Sequence, residues 1–98
     1  MKLVPKSFTL FSRVIDVTIV PNLVLTTDAY GEMDYRKREM RIQKVNEMFT
    51  QEMQNETFCH ELIHAVFWAA GEDELRSNEK LVELTGVLLY QALKTSEF

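Results

Sequence analysis

The chain holds two histidines, His60 and His64, four positions apart, with Glu61 directly after the first. On an α-helix an i, i+4 pair is separated by about 6 Å of rise and about 40° of rotation, so both imidazoles leave one face and can close on one ion. Zinc accepts this arrangement, because it takes imidazole nitrogens at about 2.0 to 2.1 Å and the backbone need not distort to supply them. Glu61 lies roughly 100° around from His60, too far to bind the metal comfortably but placed to reach a water on it. His60-Glu61-Leu62-Ile63-His64 therefore reads as two zinc ligands and a general base. The chemistry this constellation suits is hydrolysis of a peptide bond: the metal polarises the carbonyl and acidifies water, and Glu61 takes the proton and hands it to the leaving amine.

A catalytic zinc needs three protein ligands and one open position. No histidine remains, so a carboxylate on the next helix must complete the set. Glu79 and Glu83 are also i, i+4, and one can bind the metal while the other holds the second ring nitrogen of a ligand histidine. Read blandly, both are solvated glutamates, with Glu79 weakly paired to Lys80 or Arg76. Cys59 adjoins His60 but points some 100° away on a helix, which suits a small buried apolar residue better than a ligand. For stabilising the oxyanion, Tyr35 and Tyr30 are the candidates, since a phenol can donate where charge develops.

These residues need a scaffold, and the patterning supplies one. Ser7 to Val20 is rich in β-branched and aromatic residues, and Val14 to Val20 places Ile15, Val17 and Ile19 on one side and Asp16 and Thr18 on the other, as a half-buried strand does. Pro21-Asn22 punctuates it, Leu23-Val24-Leu25 extends it briefly, and Thr26 to Gly31 has turn composition. Glu32 to Tyr35 and Glu39 to Gln43 read as two further strands around the charged turn Arg36-Lys37-Arg38, with Met40 and Ile42 facing the core and Glu39, Arg41 and Gln43 facing water. Glu39 to Gln43 is the expected edge strand, open to an added substrate strand. From Asn46 the apolar residues recur at helical steps, giving a helix over Thr50 to Ala70 closed by Gly71. A second helix, capped by Asp73, runs to Lys94, and Gly86 inside it marks close approach to the first. The expectation is an α+β fold: a small N-terminal antiparallel sheet of about three strands, then two packed helices, in one domain spanning residues 1–98.

Ninety-eight residues bury a modest core and leave no room for a separate substrate-binding domain. A net charge of −4 excludes nucleic acid as the main partner, which would require a dominant basic surface. The one basic cluster, Arg36, Lys37, Arg38, Arg41 and Lys44, reads as a solvated hairpin face. A single cysteine forms no internal disulfide. No apolar run reaches the length of a membrane span, and Arg13 and Asp16 interrupt any leader pattern. A soluble cytoplasmic protein is the simplest reading.

His60-Glu61-Leu62-Ile63-His64 followed by Asn78-Glu79-Lys80-Leu81-Val82-Glu83 resembles the gluzincin pattern of thermolysin-like metallopeptidases, in which HExxH precedes a helix bearing Asn-Glu and a further acid four positions on. The resemblance implies Glu79 as third zinc ligand and Glu83 as the acid that holds a ligand histidine. Here the connection between the motifs is shorter and the later acid is Glu rather than Asp. The whole chain also resembles small metallopeptidases of phages and mobile elements related to anti-repressor proteases. Those carry an N-terminal antiparallel sheet, a Tyr-Gly turn like Tyr30-Gly31, the HExxH helix and an acidic helix. This second resemblance implies a minimal zincin domain that acts as a zinc peptidase on a protein or peptide substrate. The competing reading is a non-catalytic zinc domain with a structural or partner-recognition role, and a fourth protein ligand such as Cys59 would mark it.

Overall fold

The computed structural model describes all 98 residues. Its N-terminal half is a four-stranded sheet built from β1 (Ser7–Leu10), β2 (Arg13–Val20), β3 (Gly31–Asp34) and β4 (Glu39–Gln43), in the order β1-β2-β4-β3. The stretch before Val20 is two strands rather than one, because Phe11, at φ 55°, and Ser12 turn the chain into a hairpin that pairs Leu10 with Arg13. Leu23-Val24-Leu25 is not a strand extension. It lies in a short helix, α1 (Leu23–Thr27), where Thr27 Oγ1 donates back to the Leu23 carbonyl at 2.9 Å.

That helix redirects the chain to the far edge, so β3 forms outside and β4 returns between β3 and β2. The sheet is consequently mixed: β4 is antiparallel to β3 but parallel to β2, with Asp16 opposite Glu39 and Val20 opposite Gln43. Glu39 to Gln43 is thus an interior strand and not the edge expected of it. The open edges belong to β1 and β3. Met40 and Ile42 are fully buried, as their alternation requires, but Gln43 is buried as well. Its side-chain oxygen accepts from the Val24 amide at 3.0 Å and its nitrogen donates to the carbonyls of Pro21 at 2.6 Å and Lys44 at 3.1 Å. The basic turn is solvated, with Asp34 Oδ1 accepting the amides of Arg36 and Lys37, and Arg41 pairs with Glu32 across the β3–β4 ladder.

Helix α2 (Gln51–Ala69) crosses this sheet. Thr50 caps it, its hydroxyl accepting from the Met53 amide at 3.2 Å. Gly71, at φ 75°, ends it in the left-handed conformation that glycine adopts without a Cβ penalty, and the Glu72 amide returns to the Phe67 carbonyl. The second helical segment is broken. A single turn, α3 (Asp73–Arg76), stops where the Ser77 hydroxyl bonds the Asp73 carbonyl, and a fresh helix, α4 (Glu79–Thr95), starts with Asn78 accepting from the Leu81 amide. Asp73 therefore opens the short turn, and Asn78 caps the long helix. Both residues are side-chain competitors for backbone hydrogen bonds, which is why the break falls there.

The core lies between sheet and helices, with Ile15, Met40, Ile42, Phe58, Cys59, Ala65 and Tyr90 buried together. Gly86 brings α4 against α2 as expected: a Cβ on it would stand 3.1 Å from the backbone N and Cα of His60. No helix is long and apolar enough to cross a membrane.

Candidate metal centre

The contact at Gly86 fixes what faces His60. One turn back on α4 is Glu83, and one further turn back, at the helix start, is Glu79. His60 Nδ1 lies 2.8 Å from Glu83 Oε2, and an ionised carboxylate only accepts, so that nitrogen donates to it and Nε2 is the one turned towards Glu79. His64 is oriented by different means: its Nδ1 lies 2.8 Å from the carbonyl of Arg76 in α3, another pure acceptor. Burial holds the His64 pKa below its usual value, with Glu79 opposing the shift and His60 adding to it, which favours the neutral ring.

The Nε2 atoms of both rings point at Glu79. Its carboxylate oxygens are 3.5 Å from His60 Nε2 and 3.2 Å from His64 Nε2, and the three ligand atoms all lie within 4.8 Å of one another. Ligands at 2.0 to 2.1 Å from a tetrahedral zinc would stand about 3.4 Å apart. The donor set therefore fits the ion in number and type, and the two imidazole–Glu79 separations match that spacing. Of the two carboxylates that the sequence brings forward, Glu79 converges with both imidazoles, and Glu83 backs one of them from the far side of its ring.

Glu61 is buried, with 8 % of its surface exposed, and its Oε2 lies 4.0 Å from His60 Nε2. Burial is the main reason its pKa rises to about 7. His60 pulls the other way, and Glu79 and Glu32 push it further up. A carboxyl poised near neutrality beside three converging donor atoms has the proton affinity that general base work asks for. It lines a groove of about 270 Å³ with Tyr30, Gly31, Thr57 and His60, whose apolar walls are Phe49, Met53 and Val87.

Compared with family models, curated proteins and solved structures, the chain matches none.

The two tyrosines separate. Tyr30 stacks on Phe49, with ring centroids 4.5 Å apart, and forms part of the groove. Tyr35 is not in its lining; the ring packs against Trp68 and lies under the Arg76 guanidinium, 4.7 Å from its centroid. Burial raises the Tyr35 pKa, Arg76 lowers it, and the charges of Glu61 and Glu79 raise it, so the phenol keeps its proton. Cys59 is fully buried in the core, and burial, with Glu56 adding, lifts its thiol to about 11. It is not among the converging atoms. Two contributors escaped the sequence reading. The Arg76 carbonyl is a backbone atom with no residue-type signature, and Gly31 was visible only as the end of a turn.

Proposed function

We propose that the chain is a zinc-dependent peptidase that hydrolyses peptide bonds with Glu61 as general base. The observation that carries this reading is the convergence of three ligand atoms, on His60, His64 and Glu79, within 4.8 Å of one another, with the largely buried Glu61 carboxyl beside them. A divalent cation among these atoms would be met by two imidazole nitrogens and a carboxylate oxygen. The gluzincin-like order of the motifs and the absence of Cys59 from the donor set support an open catalytic site over a closed structural one.

His60, His64 and Glu79 would hold the ion, with Glu83 and the Arg76 carbonyl fixing the two rings. Zinc bound there supplies Lewis acidity to the scissile carbonyl and acidity to the attacking water. Glu61 accepts the proton of that water on its carboxylate and delivers it to the leaving amine. Tyr30, in the groove, and Tyr35, held protonated near Glu61 and Glu79, are the donors available to the oxyanion. The open edge of β3, beside α2 and next to Glu61, offers backbone groups to an extended peptide by strand addition.

Elemental analysis and hydrolysis of labelled casein test this together. The wild-type chain should carry zinc and cleave; Glu61→Gln should keep zinc and lose on the order of a thousandfold in rate; Glu79→Ala should lose zinc. Full casein hydrolysis by Glu61→Gln, or zinc-free wild-type protein purified without chelator, would sink the reading.

A further inference from the structure

Gly31 opens β3 at the point where the strand passes α2, and a methyl group has no room there. A Cβ on Gly31 would meet Thr57 Cγ2 at 2.6 Å and Glu61 Cγ at 3.1 Å, with Glu61 Oε2 at 3.6 Å. Nonbonded carbons rest about 3.5 to 4.0 Å apart, so the first two contacts are overlaps. The backbone does not ask for glycine at this position, because Gly71 is the one glycine with positive φ. A glycine inside a strand also weakens it, and one placed there without a conformational reason marks close approach of another group. Here that group is the face of α2 on which Thr57 and Glu61 stand four residues apart.

We propose that Gly31 is the positioning residue for Glu61. Its missing side chain lets β3 close on α2, and the strand backbone then forms the wall against which the Glu61 methylenes rest. That wall aims the carboxylate into the groove it shares with Gly31, Thr57 and His60. Residues that hold a reacting group within a fraction of an ångström of its working position are worth as much as the group's chemistry. The atoms nearest to a Cβ at Gly31 belong to Thr57 and Glu61 and not to His60, His64 or Glu79, so its effect falls on the base and spares the metal. The consequence for turnover rests on the peptidase reading; the placement of Glu61 does not.

The test uses Gly31→Ala and the double variant Gly31→Ala/Thr57→Ser in the full chain. The serine removes Cγ2, the atom that a Cβ at position 31 would strike first, and keeps the hydroxyl. Gly31→Ala should lose on the order of tenfold to a hundredfold in casein hydrolysis, the scale of a misplacement of about 1 Å. Its zinc affinity, read by competition with a chromogenic chelator, should stay within about threefold, less than loss of a ligand's own partner brings. The double variant, freed of the Thr57 overlap but still 3.1 Å from Glu61 Cγ, should recover part of the lost rate. Unchanged hydrolysis by Gly31→Ala, or a double variant no better than the single one, overturns the proposal. Crystal structures of both variants separate this failure from that of the peptidase reading. If wild-type protein cleaves no casein, the Glu61 carboxylate should still be displaced in Gly31→Ala and partly returned in the double variant, and an undisplaced Glu61 overturns the proposal on its own.

Discussion

Helix α2 meets buried polar groups at both ends, and the two ends treat them oppositely. Near its start, Gln43, Gln51, Gln54 and Asn55 form an amide cluster in which each donor has an acceptor. Gln54 donates to the Gln43 carbonyl and accepts from Gln51, while Asn55 accepts from the Leu3 amide and donates to the Met1 carbonyl. This cluster ties the N-terminal segment and the end of β4 to the helix, and nothing in it is left for a ligand. Two turns on, the polar groups are titratable and meet one another more loosely. Glu61 is largely buried with its Oε2 4.0 Å from His60 Nε2, and Nε2 of both imidazoles lies within 3.5 Å of the Glu79 carboxylate. The first group is closed by hydrogen bonds within the chain, and the second is the one in which the proposed ion would find its ligands.

Substitution should split the two ends by sign. Gln43→Ala leaves the Val24 amide and the Pro21 and Lys44 carbonyls without their partner in the interior, and it should cost roughly 4 kcal/mol in urea unfolding. A cost under about 1 kcal/mol would show that water reaches the cluster and would erase the contrast. Glu61→Gln should go the other way in chelator-treated protein. The carboxyl is raised from 4.5 to about 7, so its contribution is intact below pH 4.5 and is lost as pH climbs through 7. At pH 8 the wild type should therefore be less stable than Glu61→Gln by up to about 3 kcal/mol, and the two should converge near pH 4. Zinc should shrink the gap, because a cation beside Glu61 favours its charged form. Equal stability at pH 8 without metal would mean that Glu61 is not isolated from solvent.

The parts of this molecule that the sequence made readable are those in which one residue type has one physical job. Met40 and Ile42 could only be core, Gly71 could only end a helix cheaply, and His60 and His64 on one helical face could only point together. Glu79 and Glu83 were readable as a pair, but which of them meets the imidazoles depends on where α4 begins. That start is set by Asn78 after a break that the apolar pattern runs straight through. Gln43 misled for a related reason: alternation put it outward, and the short helix α1 supplied the Val24 amide to its oxygen while the Pro21 and Lys44 carbonyls outside that helix accepted from its nitrogen. The parallel pairing of β2 with β4 was hidden as well, since strand order depends on where α1 sends the chain and no residue in either strand encodes it.

The same contrast between closed and open pairing recurs on a smaller scale inside the centre, where the two histidines are held by unlike partners. His60 relies on a side chain, Glu83, which is 66 % exposed, and His64 on a main-chain carbonyl at Arg76. Glu83→Ala removes the acceptor that fixes the His60 tautomer, and zinc affinity should fall about tenfold, or about 1.4 kcal/mol, in chelator competition. Arg76→Ala keeps the carbonyl. It removes the guanidinium from the Tyr35 ring and the 3.4 Å pair with Asp73, contacts that stiffen the turn but carry no lone pair toward His64. Its effect on zinc should stay below about twofold, in keeping with the small worth of exposed ion pairs. If Arg76→Ala weakens zinc more than Glu83→Ala does, the order of the two partners is reversed. The stacking of Arg76 on Tyr35, and not the acceptor behind each ring, would then be what holds α3 under His64.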